Sequence, residues 1–309
     1  MTVVGWMLDS DPAIRWQVMR DITREPAAVI NAERSRIATE GWGAQLLALQ
    51  RTNGSWGGGA LFPEWTSTTH TLLLLRLMGL DPTSAQSRRA VTLVRDNVTW
   101  EHAGEAYFAG ETEPCINGKV VALGSYFGQD VTAVVDRLLG EQLTDGGWNC
   151  EAENGSTRSS FHTTLEVLDG LLEHERSARA SPAVTAARRR GEAYLLDRRM
   201  FRRLSTGAVI DPQWLQFSFP PRWYYDVLRG LDYMRSALVE PDDRVVQAID
   251  LVRSKRSEDG RWPLENPHPG RPGSVYFDLD EGEGKASRWN TLRAMRVLDW
   301  YERGARTQG

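Results

Sequence analysis

Two thiols, one imidazole and one carboxylate are the first residues of this chain that could do chemistry. It has two cysteines, Cys115 and Cys150. Cys115 sits in Glu113-Pro-Cys115, and Ser160-Phe-His162-Thr follows with its imidazole 47 residues after Cys115. Thiolate, imidazole and carboxylate are the ligand types of zinc, which in catalytic sites takes three from the protein and keeps a fourth position open. A substrate thiol, amine or water bound there would have its pKa lowered. The plainer reading is equally open: a free Cys is often a small buried hydrophobe, and a His at a helix start often caps or packs.

A second group is acidic. Phe277-Asp278-Leu279-Asp280-Glu281 clusters three carboxylates, and an Asp kept protonated by its neighbours is a strong acid. The alternative is a solvated acidic loop. A third group is aromatic: Trp214, Phe217, Phe219, Trp223, Tyr224 and Tyr225 surround Pro220-Pro221-Arg222, and Phe161 and Trp289 fall near expected helix starts. Rings facing a cavity stabilise cationic carbon and suit a large apolar ligand; rings between helices are simply core. Arg158, Arg222 and Arg288 precede or open helices, where a guanidinium binds a diphosphate or carboxylate in bidentate fashion.

The elements that must position these groups repeat. Gln142-Leu-Thr-Asp-Gly146-Gly-Trp148 has the form Gln-x-x-x-Gly-x-Trp, as does Gln50-Arg-Thr-Asn-Gly54-Ser-Trp56; Arg256-Ser-Glu-Asp-Gly260-Arg-Trp262 has Arg for Gln. The tryptophans lie 92 and 114 residues apart. Fainter copies at Val94 to Trp100 and Asp197 to Gly207 fill the gaps, giving a period of roughly fifty residues and so stacked helical units. In each, an apolar stretch (Ala44 to Leu49, Val131 to Leu139, Val245 to Val252) ends at a Gly turn that tolerates a left-handed conformation. A more apolar helix follows, expected over 67–79, 115–127, 159–174, 221–235 and 287–301, with a sixth opened by Asp11 and Pro12.

That pattern resembles the α/α-toroid superfamily of terpenoid cyclases and protein prenyltransferase β subunits, over nearly the whole chain. The resemblance implies an all-α single domain over 1–309, an α/α toroid of about six inner and six outer helices, with inner-helix N-termini around one mouth of a cavity. Glu113-x-Cys115 looks like the zinc-binding Asp-x-Cys pair of the prenyltransferases, and Phe161-His162-Thr163 like their segment with the zinc-binding His. Cys150 would add a second thiolate, as in the Cys/Cys/His set of the lanthionine cyclases, another toroid family. The implied metal is Zn2+ on Cys115, Cys150 and His162, with Glu113 as fourth ligand or base. Where prenyltransferases carry basic residues just upstream, this chain has Gly110-Glu-Thr-Glu113. Asp278-Leu-Asp280-Glu281 resembles the Asp-x-Asp-Asp of class II terpene cyclases, whose middle Asp protonates an alkene. Candidate catalytic groups are therefore Glu113, Asp278, Asp280 and Tyr225. Candidate substrate contacts are Arg158, Phe161, Arg222, Trp223, Tyr224, Arg288 and Trp289. The expected function is a zinc-site enzyme acting on an isoprenoid-like or other apolar substrate by prenyl or alkyl transfer or cyclisation. The alternatives are a metal-free cyclase using an Asp acid, or a non-catalytic ligand-binding toroid.

Composition bounds these readings. A net charge of −4 and a pI near 5.8 argue against nucleic acid as the main partner. No apolar run is long enough to span a bilayer, and Met1 to Leu8 lacks the basic start and apolar core of a signal peptide. Two cysteines are too few for a disulfide scaffold, so the cytoplasm is the expected compartment.

Overall fold

The structure, a computed structural model, describes residues 1–179, 181–268 and 275–307. These residues form α1 (Val3–Leu8), α2 (Pro12–Val18), α3 (Ala27–Ser35), α4 (Gly41–Ala48), α5 (Thr68–Met78), α6 (Ala85–Asn97) and α7 (Pro114–Tyr126). There follow α8 (Thr132–Gly140), α9 (Phe161–His174), α10 (Pro182–Asp197), α11 (Val227–Ser236), α12 (Val246–Ser254) and α13 (Arg288–Thr307). Among the described residues there is no strand, only isolated bridges, of which Thr99 with Ala106 and Arg202 with Val209 lie in or just after the two fainter repeats. No described helix is long and apolar enough to cross a membrane.

Helix starts follow capping chemistry. Asp11 accepts from the Ala13 N–H ahead of Pro12, Ser160 from Thr163 and Asp226 from Arg229, each satisfying an N–H that the first turn leaves over. Gly79 stops α5 with a φ of 88°. One expected start is wrong. The helix placed at Pro221 begins at Val227, because Arg222 is left-handed (φ 55°) and Asp226 is the cap.

The three Gln/Arg-to-Trp turns share one geometry. Each indole N–H donates 2.7 Å to a carbonyl ten residues earlier: Trp56 to Leu46, Trp148 to Leu138, Trp262 to Val252. Each Trp backbone N–H donates to the hydroxyl of a Thr in the following helix, Thr68, Thr164 or Thr291. All three rings are buried. The Gln50 amide donates to Gly54 and to Ala90 on α6, and the Gln142 amide to Gly146 and to Ala187 on α10. Arg256 makes the turn bond, at 3.4 Å to Gly260, and lies over the Trp262 ring at 5.5 Å.

The chain forms two compact units. The first is Met1–Ile30, Glu192–Pro269 and Asp278–Gly309; the second is Asn31–Gly191 and Gly270–Phe277. In the second unit α7 and α9 meet backbone to backbone. A Cβ on Gly118 would stand 2.5 Å from the Glu166 carbonyl oxygen, and one on Gly170 would stand 2.4 Å from that of Gly118. Arg76 of α5 grips α9 through Asp169 and Glu173, at 2.7 and 2.8 Å. In the first unit Arg296 of α13 ties Asp232 of α11 at 2.6 Å and Asp21, just after α2, at 3.4 Å. Burial alone would raise the Asp232 pKa; the Arg296 and Arg235 guanidiniums outweigh it and hold the carboxyl well below the usual range.

Candidate functional site

The second unit brings three of the four expected zinc donors together. Glu113 is the residue before α7 and Cys115 its second residue, fixed by Pro114 at the first helical position. Cys150 opens the short 3-10 turn Cys150–Ala152 in the connection from α8 to α9. Asn149 braces that turn, accepting from the Glu151 N–H and donating to the Arg158 carbonyl. The ligand atoms of Glu113, Cys115 and Cys150 all lie within 4.8 Å of one another. Cys115 Sγ is 3.5 Å from Glu113 Oε2, the two Sγ atoms are 2.8 Å apart, and Thr163 Oγ1 is 3.5 Å from Cys150 Sγ. His162, the second residue of α9, is half-buried and lies outside this group.

Electrostatics separates the two thiols. The Cys150 contact and burial push the Cys115 pKa up, while the Cys115 contact brings that of Cys150 down. Of the two thiols, the more exposed Cys150 ionises first, and the remaining proton is held between the two sulfurs. Lys119, one turn further along α7 and buried, favours the Cys115 thiolate. By donor chemistry the group fits zinc. Two thiolates on one zinc at about 2.3 Å each would stand about 3.8 Å apart, so a metal would have to part this pair by about an ångström.

The first unit carries the acidic group, and here the three carboxylates differ. Asp278 and Glu281 are exposed; Asp280 is half-buried. The Ser287 hydroxyl donates to Asp280 Oδ2 at 2.6 Å and the Arg288 N–H to Oδ1 at 3.1 Å. Ser287 itself caps α13, accepting from the Asn290 N–H. Burial pushes the Asp280 pKa up to about 7 despite those two bonds and the Arg288 charge, and Glu281 adds to the rise. Arg288 is turned elsewhere: its guanidinium lies over the Trp6 ring at 4.5 Å and reaches Glu281 at 3.5 Å.

The remaining candidates fall as follows. Tyr225 is buried, and its hydroxyl donates 2.6 Å to the Met200 carbonyl; burial holds its pKa well above 10.0. Trp289 is buried and stacked on Phe219 with centroids 4.3 Å apart. Trp223 and Tyr224 are half-buried neighbours, and Tyr224 stacks on His268 at 4.1 Å. Burial lowers the His268 pKa to about 4. Arg222 is half-buried, also in the first unit. Phe161 is buried and Arg158 exposed, both in the second unit. Three residues were missed from sequence. Ser287 stands one residue before a helix, where a cap is expected, and Lys119 stands four residues after Cys115, so both had a signal. Trp6, covered by both Arg261 and Arg288, had none.

No family model matches this chain, and no curated protein does. Among solved structures it is similar to the type II terpene cyclase MstE from Scytonema in its apo form, with a TM-score of 0.44 and 16% identity over 96% of this chain and 87% of that one. A complex of an MstE variant with geranylgeranyl dihydroxybenzoate gives 0.41 and 17% over the same shares. A protein from Actinoplanes gives 0.43 and 17%, covering 96% of this chain and 90% of that one. At these identities and overlaps the chemistry of those proteins does not transfer to this chain.

Proposed function

We propose that this chain is a terpene-cyclase-like enzyme in which Asp280 donates a proton to a carbon–carbon double bond of an apolar, isoprenoid-like substrate. The observation that carries the reading is the Asp280 carboxyl, desolvated and with its pKa raised to about 7. Such a group still holds a proton near neutral pH and so can give it away. Transfer to an alkene carbon leaves a carbocation and a carboxylate; a further double bond attacks the cation to close the ring, and loss of one proton from the cyclised cation to water gives an isomer of the substrate. The Ser287 hydroxyl and the Arg288 N–H are already aligned on that carboxylate, and the N-terminus of α13 adds its partial positive charge. That the repeats belong to an α/α toroid is part of this proposal, supported by the shared geometry of the turns at Trp56, Trp148 and Trp262. The test is incubation with a linear polyprenyl alkene. The wild type should give a cyclised product of unchanged mass at a rate that falls as pH rises through about 7. A folded Asp280→Asn variant should give none, and cyclisation by it at the wild-type rate would remove the acid assignment.

A second reading has its own observation, the mutual 4.8 Å spacing of Glu113, Cys115 and Cys150. These residues would hold a zinc ion, with His162 at the start of the following helix as a candidate fourth ligand. Once bound, zinc would supply an acidified thiol or water as nucleophile for alkyl or prenyl transfer. Elemental analysis should find near-stoichiometric zinc that both Cys115→Ser and Cys150→Ser lose. Metal-free protein prepared without chelator, or retention of metal in both variants, would end this reading.

A further inference from the structure

We propose that Cys115 and Cys150 form a reversible dithiol–disulfide switch in the second unit. They are the two cysteines of the chain, both in the thiol form, with their sulfurs 2.8 Å apart. That separation is inside ordinary sulfur–sulfur contact, and a bond of about 2.05 Å requires an approach of under an ångström. The pairing is held from outside. Cys115 lies on the first turn of α7, three residues before the Gly118 contact that locks α7 to α9. Cys150 opens a 3-10 turn whose cap, Asn149, is bonded to Glu151, Ser156 and Arg158. The two thiols therefore meet through packed elements and not through loose loops.

Their exposures assign the order of events. Cys150 is half-buried, whereas Cys115 is buried, at 7% exposed. With a hydroperoxide as oxidant, the Cys150 thiolate attacks the O–O bond, forming a sulfenic acid and releasing hydroxide, or an alkoxide from an organic peroxide. The Cys115 thiolate then attacks the Cys150 sulfur, expelling the sulfenic oxygen as water once it takes up a proton. In sum two thiols and one peroxide give one disulfide and two waters, or one water and one alcohol, with two electrons transferred. A dithiol reductant reverses it. The bond would pin the start of α7 to the approach to α9 and would withdraw both sulfurs from any metal. This switch stands on neither functional reading.

The test uses the full chain treated with chelator, so that the result is independent of metal. After one equivalent of hydrogen peroxide, both titratable thiols should vanish together. The mass should fall by two hydrogens, a Cys115–Cys150 crosslinked peptide should appear, and dithiothreitol should restore both thiols. In Cys115→Ser the Cys150 sulfenic acid should accumulate and be trapped by dimedone; in Cys150→Ser the remaining thiol should survive the same exposure. A Cys115→Ala variant serves if the Ser form does not fold, and peptide mapping of the wild type requires no variant. Retention of both thiols, oxidation of Cys150 alone beyond sulfenic acid, or equal reactivity of the two single variants would overturn the proposal.

Discussion

Replacing Asp280 by Asn removes a titration from the folded protein, and the size of the effect follows from the site. The folded state holds the Asp280 proton up to about pH 7, while the unfolded chain releases it near 3.8. A group whose pKa rises on folding contributes stability that is fully present below the unfolded value and lost as pH rises through the folded one. Between about pH 4.5 and about pH 8, that linkage is worth about 3 kcal/mol for these two values. Other carboxylates titrate in the same window, but they do so equally in the wild type and in Asp280→Asn, so their contributions cancel in the difference. Asn retains one oxygen for Ser287 or Arg288 and gives up the other, which shifts the variant by a constant offset at both pH values. The measurement is urea denaturation of both proteins at the two pH values. The wild type should gain about 3 kcal/mol relative to the variant on going to the acid condition. A difference that changes by less than about 0.5 kcal/mol would mean that the carboxyl ionises as an ordinary surface acid, and the proton-donor reading would lose its foundation.

Two further outcomes test the packing behind the sites. Trp148→Ala should cost about 3–5 kcal/mol in chemical denaturation, the range for a large aromatic lost from a core; the Leu138 carbonyl also loses its indole partner. A cost under about 1 kcal/mol would show that the turn does not tie its helices. Gly118→Ala drives a methyl to 2.5 Å from the Glu166 carbonyl and should cost about 1–3 kcal/mol by overpacking, with the Cys115 and Cys150 thiols becoming more reactive as α7 moves. Unchanged stability together with unchanged thiol reactivity would mean that α7 and α9 slide freely.

Much of this was legible from sequence where residue type alone dictates geometry. The turns at Gly54, Gly146 and Gly260 are left-handed, with φ of 84°, 98° and 83°, and a Gly at fixed distance from a Trp signals that directly. Asp11-Pro12 and Ser160 opened helices because capping depends on local chemistry. Pro221 misled because a proline suits a helix start without requiring one, and the left-handed Arg222 carries no residue-type signal. The meeting of Cys115 and Cys150 followed from placing the repeats side by side. His162 opens the following helix but is not in the group whose ligand atoms lie within 4.8 Å of one another. The acidic run was visible and the family resemblance singled out its middle residue, Asp280; the partners of that carboxylate, the Ser287 hydroxyl and the Arg288 N–H, come into play only when the chain folds.

The tryptophan bonds also set an order in time. Each indole reaches a carbonyl ten residues back, and a loop of that size closes in about 10–100 ns. The glutamine bonds of the same turns reach across 40 and 45 residues, to Ala90 and Ala187, and a loop of that length carries a larger closure entropy. The indole clasp can therefore form while its neighbours are still unfolded, whereas the amide bond requires the second helix beyond the turn, α6 or α10, to be in place. Folding built on such clasps has low contact order within each repeat, so a chain emerging from the ribosome could secure each turn soon after its Trp appears.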